Sequence, residues 1–498
     1  MSDGSRRGPA ATPANERRWG RLIRCGRGIG RLTEAIDWTR VGTGAWNACL
    51  ETQSVRRRSI VMGALLVGLV TGTEAGLPHP DPTWPSILVD RSLNSNESFK
   101  LFLRSRGYPA EGAFSEVNLL FMPGVQIVLD RPLHFRDAYI GAYNDAGAKP
   151  ILRWTNESGG IVSEGGRLAV VGLQLEGGER ARYKSAGVNA RKADIVYVVS
   201  CVIDGFANGI VFAGHGGEIK DNQIRRVTNS GIFGGWAPRP APSNFLIDNN
   251  FIDARGATND GITLHDGTSL GLGNRISRNV IEGPAENGID ILGQFAGTII
   301  QKNRISNTGL YAIITTKNPT GDKVTQTQIV ENEINGSTRA GIYSRTLRAL
   351  VRGNKISGIE SIRAAAGVAV EGPAEITDNT IMVPKGAKRP AIAVFGVPES
   401  SQGGLISRNR IENASIVPIF GFHASTESPD QLIARWNIND NHYVLQSVSS
   451  QMLVGQDPYH WIQRIWRHDG SAHRKDTRSR FDFTAEELSI RSPPAKSP

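Results

Sequence analysis

Trp236, His265, Asp266, Asp290, Lys317, Tyr343, Arg345 and Glu371 can stack on a sugar, carry charge or move a proton. Each lies one to four residues after a small–aliphatic pair: Gly231-Ile232, Gly261-Ile262, Gly288-Ile289, Ala312-Ile313, Gly341-Ile342 or Gly367-Val368. If those pairs stack as strands, the residues one and three places beyond them share one outward face. Neighbouring rungs of a sheet lie about 4.8 Å apart, so the side chains would line a groove suited to a chain-like substrate. Asp266 and Asp290, on neighbouring rungs, have the types needed for glycoside hydrolysis, which runs on two carboxyl groups about 5 to 9.5 Å apart. A non-catalytic carbohydrate-binding surface would need aromatic groups and no base, and Gln223, Phe251 and Trp236 leave that alternative open.

What must position these residues is a repeat. An Asn, any residue and Ile recur at Asn222, Asn250, Asn279, Asn303, Asn332, Asn354, Asn379 and Asn409. Repeats of 20 to 50 residues signal a stacked architecture. Asn and Ile sit two apart and point the same way from a strand, so an inward Ile carries the Asn inward. A buried amide is costly unless bonded, and a column of amides can bond to one another. Helical spacing of apolar residues is missing. The sequence therefore predicts an all-β, right-handed parallel β-helix solenoid of about ten coils. Asn96 to Gly107 reads as a short N-terminal capping helix, with Ser95 or Asn96 as N-cap and Phe99, Phe102 and Leu103 as its apolar stripe. The last stretch reads as an irregular C-terminal cap with Trp461 and Trp466.

The formal net charge is +10, but residues 1–58 hold 12 Lys+Arg against 5 Asp+Glu, so little excess remains beyond them. That balance speaks against nucleic acid as a partner. Cys25 and Cys49 precede the apolar run Met62–Val70, which leaves Cys201 and no disulfide framework. Cys201 reads as a small buried ladder residue. Arg56-Arg57-Arg58, the apolar run and Thr73-Glu74-Ala75 have the build of a signal peptide, too short for a stable membrane span. The expected divisions are a leader at 1–55, the signal at 56–75, an N-terminal cap at 76–112, the β-helix at 113–430 and a C-terminal cap and tail at 431–498.

The coil pattern with its Asn column resembles the pectate-lyase-like right-handed β-helix superfamily, over about residues 115–430. With the Arg56-Arg57 leader, it is also similar to the twin-arginine-translocated repetitive proteins, which implies export to the periplasm or the extracellular space. Gly261 to Thr268 resembles the Asp-Pro-His-Asp segment of mannuronan C5-epimerases. His265 and Asp266 match the tetrapeptide, while Thr263 and Leu264 replace its first two residues. Lys317 and Arg345 resemble the Lys and Arg of β-helix alginate lyases. These likenesses imply a lyase or C5-epimerase acting on an acidic, uronate-containing polysaccharide. In that chemistry Arg345 or Lys317 neutralises the uronate carboxylate, and His265 or Tyr343 is the base. Asp266 orients His265 or joins Asp290 in holding Ca²⁺, the one candidate cofactor. Trp236, Asp266, Asp290 and Glu371 bind substrate. Glycoside hydrolysis on the same fold and plain carbohydrate binding are the alternatives.

Overall fold

The Asn column forms as a continuous buried chain. In the computed structural model, Asn222 Nδ2 donates to Asn250 Oδ1 at 2.9 Å, and Asn250 Nδ2 to Asn279 Oδ1 at 2.8 Å. The same bond links each Asn to the next as far as Asn441, one rung beyond the last Asn-x-Ile. Every amide also donates to a backbone carbonyl of the preceding coil, as Asn303 does to Ile276 at 3.0 Å. Its oxygen accepts the backbone N–H of the Asn before it. Cys201 heads the column, its N–H bonded to Asn222 Oδ1 at 2.9 Å. Its thiol is buried, which pushes its pKa up to about 11, so it is a packing residue and no nucleophile.

The structure describes residues 78–445 and 480–483, apart from 109–111, 145–146, 179–184, 236–237, 266, 268, 317–326, 347, 361–366, 385–389, 396–402, 415–418, 423–434 and 446–479. The expected leader and signal, at 1–55 and 56–75, and Trp461 and Trp466 lie outside the described residues, as do three candidate site residues, Trp236, Asp266 and Lys317. Residues 76–498 form one compact unit.

A middle coil shows the plan. Phe245–Asp248, Phe251–Asp253 and Ile262–His265 are its three strands, on three faces. Each pairs in parallel with its counterpart one coil on, Arg275–Ser277, Val280–Glu282 and Ile289–Leu292. The face bearing Asn-x-Ile is a ladder of fourteen described strands. That exceeds the ten or so coils expected, because Gln126–Leu129 and Ile151–Trp154 open the ladder without an Asn, and His442–Leu445 and Arg480–Phe483 extend it beyond the last Asn-x-Ile. Between the first and second strands a single left-handed residue precedes each ladder Asn. Asp221, Asn249, Arg278, Lys302, Glu331, Asp378, Arg408 and Asp440 all have φ between 51 and 59°. That conformation is strained for a residue with a Cβ, and the fixed Asn bonds beside it hold it in place.

The small residue in each repeat has an equally direct cause. A Cβ on Gly261 would sit 2.4 Å from Ile281 Cγ2 and 2.7 Å from Gly288 O. Ile281 belongs to the Asn-x-Ile of the following coil, so the two halves of the repeat pack against each other. Gly209, Gly231, Gly288, Gly341 and Gly367 stand in the same relation to their own Ile residues. Ala312 and Ala391 take this place in two coils, so a methyl fits when the coil gives way. We therefore expect Gly261→Ala to cost about 1–3 kcal/mol, read as a lowered urea midpoint, and Gly261→Val to prevent folding.

The predicted helix forms at Asn96–Ser105, with Ser95 as N-cap in a capping box with Ser98. Gly107 follows at φ 83°, and Phe99 and Leu103 are buried. Phe99 stacks on Phe121 at 6.3 Å, which seats the helix on the opening coils. Among the described residues no helix is long and apolar enough to cross a membrane.

Candidate functional site

The third face carries the candidate residues, and its register is the one the overlaid repeats predict. Thr263 lies beside Asp290, Asp290 beside Ile314, Ile314 beside Tyr343, and Tyr343 beside Ala369. The inward column Phe212, Leu264, Ile291, Thr315, Ser344, Val370 and Val394 is buried throughout. In the outward columns the candidate residues His265, Asp290, Tyr343, Arg345 and Glu371 are half-buried, whereas Val211, Phe233, Thr263, Ile314, Ala369 and Ala393 are buried. The reason is apolar packing on the outside of the sheet: Val211 and Phe233 cluster with Ala186, and Ile314 with Tyr311 and Ala340.

Within this covered face three carboxyl groups gather. Asp260 is 5% exposed and is held from two sides. Thr263 Oγ1 donates to its Oδ2 at 2.7 Å. Asn287, on the next coil, donates to its Oδ1 from the backbone N at 2.9 Å and from Nδ2 at 3.0 Å. Asp290 is the opposite case, because its Oδ1 is buried and meets no hydrogen-bond partner. Burial, then the negative charges of Asp260 and Glu286, push the Asp290 carboxyl up to about 8. Glu286 is raised by burial and by Asp260, with Arg339 acting against the shift. Asp260 itself is raised by burial, against which Thr263, Asn287 and His265 act. Three acids crowded together cannot all ionise cheaply, so the one with the fewest hydrogen bonds to its carboxyl group keeps its proton.

His265 stacks on Phe233, ring centroids 5.7 Å apart, at the end of the strand that begins beside Asp260. Two coils beyond Asp290 lies a second network. Tyr343 Oη donates to Glu371 Oε1, and Arg345 Nε donates to Glu371 Oε2 at 2.8 Å. Burial and the Glu371 contact push the Tyr343 phenol well above its ordinary range, so it holds its proton and is a poor resting base. Tyr311 packs against Tyr343 at 5.2 Å, with the Arg339 guanidinium over its ring at 5.6 Å.

Of the sequence-predicted residues, the structure joins Tyr343, Arg345 and Glu371 in one network, and sets His265 and Asp290 on neighbouring coils of the acidic one. The overlay missed Asp260, Glu286, Asn287, Tyr311 and Arg339. A signal existed: the polar pairs Asn229-Ser230, Asn259-Asp260 and Glu286-Asn287 each stand directly before the repeat's Gly. Among the described residues no three His, Cys, Asp or Glu side chains are arranged to hold a metal ion. The Ca²⁺ expectation relied on Asp266, which is not described.

A family model described as the right-handed β-helix region matches residues 159–329. Together with the parallel strand ladders, it establishes the fold as a right-handed parallel β-helix. No curated protein matches the chain. Among solved structures, the catalytic unit of a thermostable α-1,3-glucanase from Streptomyces thermodiastaticus strain HF3-3 is similar at TM-score 0.45 and 14% identity, over 67% of this chain and 69% of that one. A mannuronic-acid-specific polysaccharide family 6 lyase from human gut microbiota is similar at TM-score 0.44 and 12% identity, over 81% and 92%. A periplasmic alginate epimerase is similar at TM-score 0.37 and 12% identity, over 72% and 85%.

Proposed function

We propose that this chain is a polysaccharide-active enzyme that hydrolyses a glycosidic bond, with Asp290 as the acid and Glu286 as the second carboxyl group. The observation that carries this reading is the buried, partnerless Oδ1 of Asp290 on the outward face. A carboxyl kept neutral at pH 7 by burial and neighbouring anions has the pKa a proton donor needs. Asp290 gives its proton to the glycosidic oxygen as the bond from the anomeric carbon to that oxygen breaks. Glu286 takes a proton from a water whose oxygen bonds to the same carbon. One water is consumed, two saccharides leave, and solvent returns the proton from Glu286 to Asp290. The described part of the site favours a neutral glycan. Its acids are Asp260, Glu286, Asp290 and Glu371, while Arg345 is already held by Glu371.

A second reading is proton abstraction at C5 of a uronate, by a lyase or an epimerase. The observation for it is Tyr343 beside Arg345, a base type and a cation sharing Glu371. Incubation with α- and β-glucans, alginate, pectate and glycosaminoglycans separates the readings. New reducing ends without an unsaturated product indicate hydrolysis. Absorbance from an unsaturated uronate indicates a lyase, and altered uronate composition at constant chain length an epimerase. No change on any glycan would leave only carbohydrate binding and sink the enzymatic proposal. We expect Arg345→Ala to keep measurable hydrolysis; abolished turnover in this variant, as in His265→Ala, would favour the uronate reading. An exported enzyme, periplasmic or extracellular, belongs to the same proposal, and cell fractionation of the full-length chain tests it.

A further inference from the structure

Resting on the reading above, we infer that Asp260 is a buried positioning anion, clamped by Thr263 and Asn287, that acts through Asp290 by keeping the proton there. The inference turns on the contrast in hydrogen bonding between the two carboxyl groups. Asp260 accepts three donors, one at Oδ2 and two at Oδ1. Each such donor favours the ionised form. Asp290 has a buried oxygen with no donor to stabilise a charge. One negative charge shared between them therefore settles on Asp260.

The clamp is itself fixed by the coil stack. Tyr311 N, one coil further on, donates to Asn287 Oδ1 at 3.3 Å. With its oxygen engaged there, the Asn287 amide must turn its NH₂ toward Asp260. Thr263 stands in the outward column between Phe233 and Asp290, its hydroxyl 2.7 Å from Asp260 and its residue 2% exposed. The charged and titratable groups around Asp260 are His265 from its own coil, with Glu286 and Asp290 from the next. Arg339 enters through its effect on Glu286. Asp260, being 5% exposed and fully bonded, is poorly placed to touch a substrate, and its influence reaches the reaction through the proton on Asp290.

Asp260→Asn tests this in the full chain with little disturbance of shape. The new amide oxygen still accepts from Asn287, and its NH₂ can donate to the Thr263 hydroxyl. The Asp290 titration is read without any substrate, from the pH dependence of stability of Asp290→Asn relative to Asp290, measured in both the native and the Asp260→Asn backgrounds. Losing the neighbouring charge should lower the Asp290 midpoint by about one pH unit or more, a tenfold change in its proton affinity. Thr263→Val should move it the same way by a smaller amount, because an unclamped Asp260 ionises less and competes for the proton, and Thr263→Ser should restore the parent value. The alkaline limb of kcat/KM on any cleaved glycan should shift with the Asp260→Asn midpoint. An unmoved Asp290 midpoint in Asp260→Asn, or equal midpoints for Thr263→Val and Thr263→Ser, would overturn the inference. Failure to cleave any glycan would sink the hydrolase reading alone, since the substrate-free titration still reports where the proton sits.

Discussion

Asp290→Asn is expected to make the protein more stable at pH 8 and at the same time inactive. The native carboxyl titrates at about 8 against about 3.9 for an unfolded Asp. Between those values the folded chain holds a proton that the unfolded chain has released. Stability therefore falls as pH rises from about 4 to about 8, with the contribution intact below that window and lost above it. The ceiling on the loss is on the order of 5 kcal/mol, at about 1.4 kcal/mol per pH unit. An amide keeps the shape of the neutral acid and never ionises. Denaturant unfolding should thus show a gain of about 2 kcal/mol or more at pH 8, shrinking to nothing near pH 4. Turnover should drop about 10² to 10⁴-fold, the range for loss of a general acid. In the parent, kcat/KM should fall as pH rises through about 8. Equal stability of the two proteins at both pH values would show that Asp290 is not a strained acid, and the assignment of the proton donor would go with it.

The other large effect belongs to the Asn column. Asn303→Ala removes the acceptor of the Asn279 N–H and of one Asn279 Nδ2 proton, and the donor to Ile276 O and Asn332 Oδ1. All of these groups are buried, and each one left unbonded costs about 1–3 kcal/mol. Asn279 Nδ2 keeps its bond to Ile247 O and Asn332 Oδ1 keeps the backbone N–H of residue 303, so the full cost falls on about two groups and a total loss of about 2–5 kcal/mol is expected. Asn303→Asp should be worse at neutral pH although it is the same shape. Its second oxygen would face two acceptors, Ile276 O and Asn332 Oδ1, and its charge would have no water. Burial raises the pKa of such a carboxyl, so its penalty should ease as pH falls and the acid regains a proton to donate. Arg304→Ala is the control. Arg304 faces solvent, and its 3.4 Å pair with Glu333 is exposed on both sides, so less than about 0.5 kcal/mol should change. Comparable midpoints for Asn303→Ala and Arg304→Ala would mean that the column does not hold the coils together.

These two cases also mark how far the sequence reaches. The Asn column, the alternation of Gln223, Arg304, Glu333 and Arg410 toward water, and the Gly-Ile pairs were legible because each repeats. Repetition converts sequence distance into a vertical stack, and a buried amide with a solvent-facing neighbour has one solution in a strand. The helix at Asn96–Ser105 was legible for a local reason, its cap and apolar stripe. The register of Thr263, Asp290, Ile314 and Tyr343 followed from the same repeat. Only the tertiary structure decided what that register means. Outward-pointing did not imply solvated, because Val211, Phe233 and Ile314 pack against Ala186, Tyr311 and Ala340 of the same ladder. Asp290 came to hold a buried oxygen without a hydrogen-bond partner, and Arg345 to pair with Glu371. Burial and the pairing of charges depend on what lies on all sides of a group. A repeat fixes the neighbours above and below, while the charges and hydrogen bonds around Asp290 come from Asp260, Glu286 and Asn287, which lie outside the strands that the repeat aligns.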